Sequence, residues 1–317
     1  MENDFYQISL FCDIIPATLD LNRLSMLKLR DKKRERDFAR DGFVTFPLLN
    51  GEEVKQLRDI YFHYKDRHLT QQGILHSTSD TNDYDLISQI NRKITEIMTP
   101  AVDRILEDYE PLIAGFLTKE IGDVSATEFH QDPTLVDENE FVSANVWVAL
   151  QDTQAANGNL RVVKGSHRLK PCIRATPDCP MAFRLIKNDL IHFATEVPVS
   201  AGEAVLLNHQ TIHGATDNHS GCERIAIAMA VKPKRAEWCF YFLEKNAPHD
   251  QIEKYTIDGD AFARLIKYER PTTGTFLGHV ASPFEAITRK DLIHFMLKNY
   301  PADALKGIVK MGLSSAK

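Results

Sequence analysis

The chain has 317 residues and a mass of 36.0 kDa, long enough to bury a sizeable core as one large domain with appendages. A formal charge of −6 and a pI near 6.1 exclude a global attraction to nucleic acid or to anionic membranes. The acidic opening "MENDFYQISLFCDIIPATLDLNRL" has no long apolar run, so neither a secretory signal nor a membrane span is expected, and the expected location is cytoplasmic. Five cysteines (Cys12, Cys172, Cys179, Cys222 and Cys239) make an odd number with no C-x-x-C pair, which argues against a disulfide framework or a zinc cluster.

In chain order, residues 22–40 read as helix, with the mixed-charge run "RDKKRERDFAR" as its solvated face. Asp41-Gly42 then turns into a strand from Phe43 to Leu48, and Asn50 is placed to cap a helix beginning near Glu52. The polar stretch from Gln71 to Tyr84 is weakly patterned and reads as a loop, so 68–92 is expected to act as a lid. From 111 to 243, short strand-like runs such as "LIAGFLTKE", "FVSANVWVALQD", "NLRVVKGSH" and "ERIAIAMAVKP" alternate with turn residues, the pattern of a sandwich or jelly roll. Residues 258–310 return to helix, and "SPFEAITRKDLIHFMLKNY" offers Ser282 as N-cap, Pro283 at the first helical position and Glu285 three residues after the cap. The expected fold is mainly β, a double-stranded β-helix (jelly roll) packed by N- and C-terminal helices. One domain is expected over 1–317: a helical extension (1–37), a strand, helix and lid region (38–110), the jelly-roll core (111–243) and a helical region (244–317).

"TEFHQDPTLV" places His130 and Asp132 two apart, so on an extended strand both side chains project from one face. About one such His-x-Asp triplet is expected by chance in a chain of this composition, and alone it reads as a polar strand end. A second source of imidazole is "GEAVLLNHQTIHGATDN", where a predicted strand is followed by His209 and then by His213-Gly214. Two histidines and a carboxylate on one side of a metal leave the other side open, which suits Fe(II) enzymes that bind a co-substrate and dioxygen; zinc prefers fewer vacancies. In "CERIAIAMAVKP", Arg224, Ala226, Ala228 and Ala230 alternate with Ile225, Ile227, Met229 and Val231. One face is bulky, whereas the other leaves room inside a barrel and sets a bidentate carboxylate clamp at its edge. By the same alternation Ser143, Asn145, Trp147 and Ala149 share a face that is expected to look into the cavity.

Taken together, His130-Gln131-Asp132, His213 and Arg224 eleven residues later resemble the phytanoyl-CoA dioxygenase branch of the Fe(II)/2-oxoglutarate oxygenases. "FARDGFVTFPLLNGEEVKQLR" is similar to the family's opening strand and helix, and "NGNLRVVKGSH" to its turn, strand and Gly-Ser/Thr-His segment, so the resemblance spans residues 38 to about 235. It implies that His130, Asp132 and His213 bind iron as the catalytic centre and that Arg224 receives the far carboxylate of 2-oxoglutarate. Lys119 and Trp147 are implied neighbours of that co-substrate, and Asn145 is a candidate pocket residue. Where some members offer a serine two residues after the distal histidine this chain has Ala215, and Thr216 is the candidate substitute. His209 lies off the match, and His167 in "KGSH" is expected to order a turn.

The implied cofactors are Fe(II), 2-oxoglutarate and dioxygen. The implied reaction yields succinate and carbon dioxide while hydroxylating an unactivated C–H bond; desaturation and ring formation begin with the same hydrogen abstraction. Asp132 fills the position that related halogenases leave open for halide. The implied substrate is a small molecule, free or linked to coenzyme A or a carrier protein, contacted by 68–92 or by residues after Trp238. A non-catalytic jelly-roll binding protein and a zinc hydrolase using the same histidines and aspartate are the rival classes, and neither needs a clamp for a dicarboxylate.

Overall fold

The computed structural model describes residues 26–68, 75–177, 181–265, 269–282 and 284–314. Leu27 and Leu29 are buried on either side of exposed Lys28, a period of two that makes strand and not helix. Accordingly β1 (Lys28–Leu29) pairs with β4 (Leu106–Glu107), and the helix expected over 22–40 begins only at α1 (Lys32–Asp41). Its start is set by Asp31, whose carboxylate accepts from the N–H groups of Lys33 and Arg34, while residues 22–25 lie outside the described residues. Next come β2 (Phe43–Pro47) and α2 (Gly51–His68), as expected. Asn50 Oδ1 accepts from the N–H groups of Glu52 and Glu53, and the Glu53 side chain accepts in return from the Asn50 N–H.

The segment expected to be a lid divides differently. Residues 69–74 lie outside the described residues. Beyond them β3 (Leu75–Ser77) pairs with β5 (Tyr109–Lys119), and α3 (Tyr84–Val102), capped by Asp83, buries Leu86, Ile87, Ile90 and Ile94. That apolar spacing fits one helix face, so 84–92 is core helix, not loop or lid.

The strands that follow are β6 (Thr127–His130), β7 (Ala144–Ala149), β8 (Leu160–Val162), β9 (Thr176–Pro177), β10 (Thr195–Val197), β11 (Glu203–Asn208), β12 (His213–Ala215) and β13 (Arg224–Pro233). The one-turn helix α4 (Leu190–Phe193) leads into β10. A major sheet runs β2-β11-β7-β13-β5-β3 and a minor one β10-β8-β12-β6, both antiparallel throughout. From β5 to β8, and again from β11 to β13, successive strands cross from one sheet to the other, the winding of a double-stranded β-helix. One face of the major sheet, with Val146, Val148, Ile225, Ile227 and Met229, packs under α2 and α3. The opposite face carries Trp147, Ala149 and Ala226 against Leu160, Val162 and Val197 of the minor sheet.

The region after 243 is not wholly helical, contrary to expectation. Here β14 (Cys239–Leu243), β15 (Ile252–Thr256) and β16 (Thr275–Val280) form a third sheet, ordered β16-β15-β14-β9, with α5 (Gly259–Ala263) inserted. An unpaired β14 would expose a row of backbone donors and acceptors, and β15 satisfies them. Helices α6 (Arg289–Asn299) and α7 (Pro301–Ser314) pack with Phe129, Val163 and Ile212, on the outside of the minor sheet. The cap of α6 is Thr288, paired reciprocally with Asp291, and not Ser282. Ser282 is buried and its hydroxyl accepts from the Ile173 N–H at 2.7 Å, while Pro283 lies outside the described residues. Among the described residues no helix is long and apolar enough to cross a membrane.

Candidate active site

The site forms where β6 and β12 pair inside the roll. His130 and His213 are register partners on these antiparallel strands, so their side chains leave the same face and the ring centroids lie 4.2 Å apart. Gly214 is required for this pairing, since a Cβ there would meet the Thr127 carbonyl oxygen at 2.7 Å. Asp132 follows just past the end of β6, and its Oδ1 lies 3.8 Å from His130 Nε2 and 3.9 Å from His213 Nε2. One ligand atom from each of the three residues lies within 4.8 Å of the others, the single group of this kind among the described residues.

Local hydrogen bonds fix which ring nitrogens are available. His130 Nδ1 is 2.8 Å from the Glu128 carbonyl and His213 Nδ1 is 2.9 Å from the Thr211 carbonyl. A carbonyl only accepts, so each Nδ1 carries the proton and each Nε2 presents a lone pair toward Asp132. Burial, reinforced by the neighbouring His130 ring, pushes His213 down to about 4, which keeps it a neutral ligand near pH 7. Burial works against the Asp132 carboxylate, but the surrounding imidazoles of His213, His209 and His130 and the Asn145 amide outweigh it and hold the carboxyl below its usual range. Two imidazoles that turn Nε2 to a common point and an ionised carboxylate, with no protein donor on Oδ1 among the described residues, are the donor set of a divalent cation that keeps open positions.

The remaining expected residues divide into two groups. Asn145 donates its amide to Asp132 Oδ2 at 3.0 Å, which leaves Oδ1 on the side of the histidines. His209 is not a ligand in this geometry. Its carbonyl accepts from the Asp132 N–H at 3.0 Å, and its Nδ1 pairs with Ser143 Oγ at 2.8 Å; burial pushes this imidazole down to about 4. His167 is buried in a 3-10 turn with Nε2 3.1 Å from the Ala39 carbonyl, tying the "KGSH" segment to α1 as expected of a turn residue.

Arg224 opens β13 on the major sheet, on the face that Trp147, Ala149 and Ala226 turn toward the minor sheet. It is 2% exposed, its guanidinium lies 5.2 Å from the centre of the Trp147 ring, and Nη1 donates to the Gly158 carbonyl at 3.3 Å. No carboxylate among the described residues pairs with it, Nε is buried without a partner, and burial alone pushes its pKa down to about 10. Lys119, its register partner on β5, is also fully buried. The Lys119 ammonium donates to the Ser125 carbonyl and, at 2.9 Å, to the Thr216 carbonyl; burial first and Arg224 second push it down to about 7. Gly158, at φ +74°, allows this crowding, because a Cβ would come 2.5 Å from the Thr216 carbonyl oxygen and 2.6 Å from Lys119 Cδ. The Thr216 hydroxyl donates to Ala155 at 3.2 Å, so Thr216 contributes its backbone to Lys119 and its hydroxyl elsewhere. Ala215 is buried and has no hydroxyl to offer. A buried guanidinium without a counter-ion is costly, and together with the lysine beside it this end of the cavity has the chemistry of an anion site.

A jelly roll is the scaffold on which these groups meet. The phytanoyl-CoA dioxygenase (PhyH) family matches residues 39–226, more than half of the chain, and the protein belongs to that family of iron- and 2-oxoglutarate-dependent oxygenases, which also use dioxygen. Among solved structures, the nogalamycin-pathway epimerase SnoN, in complex with Fe3+, alpha ketoglutarate and nogalamycin RO, aligns at a TM-score of 0.53 and 16% identity, covering 82% of this chain and 96% of that one. The carbocyclase SnoK from nogalamycin biosynthesis aligns at a TM-score of 0.49 and 21% identity, covering 84% of this chain and 99% of its own. AviO1 from Streptomyces viridochromogenes Tue57 aligns at 0.46 and 21% identity, covering 70% and 98% respectively. At these identities the SnoN likeness establishes shared fold. A comparison with curated protein sequences finds no match.

Proposed function

We propose that this protein oxidises a C–H bond of a small metabolite, with hydroxylation as the default outcome, and that His130, Asp132 and His213 hold its iron. The observation that carries the reading is Arg224: a buried guanidinium without a carboxylate partner among the described residues, on the major sheet that faces the minor sheet bearing His130 and His213. A dicarboxylate whose far end meets Arg224 supplies the missing counter-ion, with Trp147 stacked on the guanidinium and Lys119 adding a second positive group. Iron held at this site supplies the activation of dioxygen that couples loss of carbon dioxide from 2-oxoglutarate to substrate oxidation. The chain's own contribution is placement. Asn145 and the His209 carbonyl fix Asp132, the Glu128 and Thr211 carbonyls fix the ring orientations, and Leu160, Val162, Val197 and Leu207 exclude water between the sheets.

Asp132 occupies the position through which a halide would have to reach the metal, which favours oxygen transfer over halogenation. Ring formation and epimerisation, named for SnoK and SnoN, start from the same kind of C–H bond and are alternative fates of one site. Substrate contacts are proposed on the side where Leu135, Val136 and Ala230 pack with Trp238 and Phe240, because this cluster begins three residues after Asp132. A natural-product intermediate, free or linked to a carrier or coenzyme A, is the proposed substrate class. Anaerobic addition of Fe(II) and 2-oxoglutarate should give a weak visible charge-transfer band, and admission of air should release succinate. A protein that binds Fe(II) yet shows neither the band nor succinate is not this enzyme.

A further inference from the structure

Asp132 stands just beyond the last residue of β6, where strand pairing no longer supplies hydrogen bonds, and the next residue is Pro133, which has no N–H. Its backbone is nonetheless held on both sides. The N–H donates to the His209 carbonyl at 3.0 Å, and the carbonyl accepts from Arg174 Nε at 2.7 Å. Asn145 donates to Oδ2, whereas Oδ1 has no donor among the described residues and faces the two Nε2 atoms.

Arg174 is 2% exposed, and all three nitrogens of its guanidinium donate hydrogen bonds. Nη1 donates to Glu138 Oε2 at 2.7 Å and to the Cys172 carbonyl at 3.0 Å, and Nη2 donates to Glu138 Oε1. Its backbone grips the other side of the proline as well: the Arg174 N–H donates to Thr134 Oγ1 at 3.0 Å, and the Thr134 N–H donates to the Arg174 carbonyl at 3.1 Å. Arg174 therefore brackets residues 132–134, and Glu138 holds it from behind. The contrast with Arg224 is informative. Both guanidinium groups are buried, but among the described residues Arg174 has a bidentate carboxylate and Arg224 has none. A buried ion pair adds little net stability beyond an apolar pair of similar volume, so its presence beside a ligand calls for a positional reason.

We infer that Arg174, steadied by Glu138, is a positioning residue that aims Asp132 Oδ1 at the cation. This rests on reading His130, Asp132 and His213 as the metal site. A fork is needed because one donor must reach the Asp132 carbonyl while others hold Glu138, which a single ammonium or an apolar side chain does not do.

The test uses the full-length protein and Co(II) as the probe, under anaerobic conditions, with affinity and the visible ligand-field spectrum as readouts. Wild type should bind one Co(II), and His213→Ala should lose it. Arg174→Met should bind about 10- to 100-fold more weakly with an altered spectrum, the range typical for groups that support metal ligands. Glu138→Gln should change both readouts in the same direction by less, and it decides the matter if Arg174→Met does not fold. A folded Arg174→Met, or a folded Glu138→Gln in its place, with wild-type affinity and spectrum overturns the positioning role while leaving the metal site standing. If His213→Ala binds Co(II) as wild type does, the metal reading fails and the inference falls with it.

Discussion

Replacing Arg224 by methionine should move stability and binding in opposite directions. The guanidinium is buried, lacks a carboxylate partner among the described residues, and is pushed by burial well below the ordinary arginine value, down to about 10. A depression of that size corresponds to about 3 kcal/mol spent in keeping the charge inside. Methionine runs along Trp147 with similar length and no charge, and it forfeits the 3.3 Å bond to the Gly158 carbonyl, which is worth about 1–3 kcal/mol. The ligand-free variant should thus unfold at the wild-type temperature or a few degrees above it. Its affinity for 2-oxoglutarate should fall by the worth of one partner in a desolvated charge pair, about 2–4 kcal/mol or roughly 30- to 1,000-fold. Thermal unfolding with and without the co-substrate reads both effects. At 100 times the wild-type dissociation constant the ligand stabilises wild type by about 2.7 kcal/mol and should stabilise the variant by less than about 1 kcal/mol. A variant that is strongly destabilised when empty, yet keeps the wild-type response to 2-oxoglutarate, would show that the guanidinium serves the fold and would refute the argument.

His213→Ala and Asp132→Ala should each abolish succinate release while the far-ultraviolet circular dichroism stays that of wild type; turnover in either variant removes that residue from the site. Lys119, fully buried and pushed down to about 7, binds fewer protons in the folded than in the unfolded chain from about pH 7 up to its ordinary value of 10.5. Its contribution is therefore most unfavourable below pH 7 and eases as pH rises, so the stability of wild type minus that of Lys119→Met should increase between pH 6.5 and pH 9.5 in urea titrations; a flat difference contradicts the shift. Phe116 is fully buried with its ring edge-on to Tyr61 at 5.3 Å, and Phe116→Ala should cost about 3–5 kcal/mol in denaturant unfolding, with a loss under about 1 kcal/mol counting against this packing.

What the sequence by itself determined follows from local periodicity and spacing. The alternation from Arg224 to Val231 separates a bulky face that packs under α2 and α3 from a face of arginine and alanine turned to the interior, and both are properties of a pleated strand. Asn50 capping α2 was legible for the same reason, since a cap is satisfied by residues within three positions of it. The spacing of His130 and Asp132 reads alone as a polar strand end, and it was the resemblance carried by His130-Gln131-Asp132, His213 and Arg224 that implied a ligand set, of which the structure brings atoms of His130, Asp132 and His213 within 4.8 Å of one another. Tertiary structure decided the rest. Residues 84–92 became core helix once Leu86 and Ile90 had a sheet to cover, and residues beyond 243 became strands because β14 had an open edge to fill. The support of Asp132 was equally invisible along the chain. Asn145, His209 and Arg174 lie 13, 77 and 42 positions away, and their bonds depend on which strands cross the roll and on where the chain turns after β6. Those are choices of register and chain crossing, made by burying apolar faces against one another, and no local pattern around Asp132 encodes them.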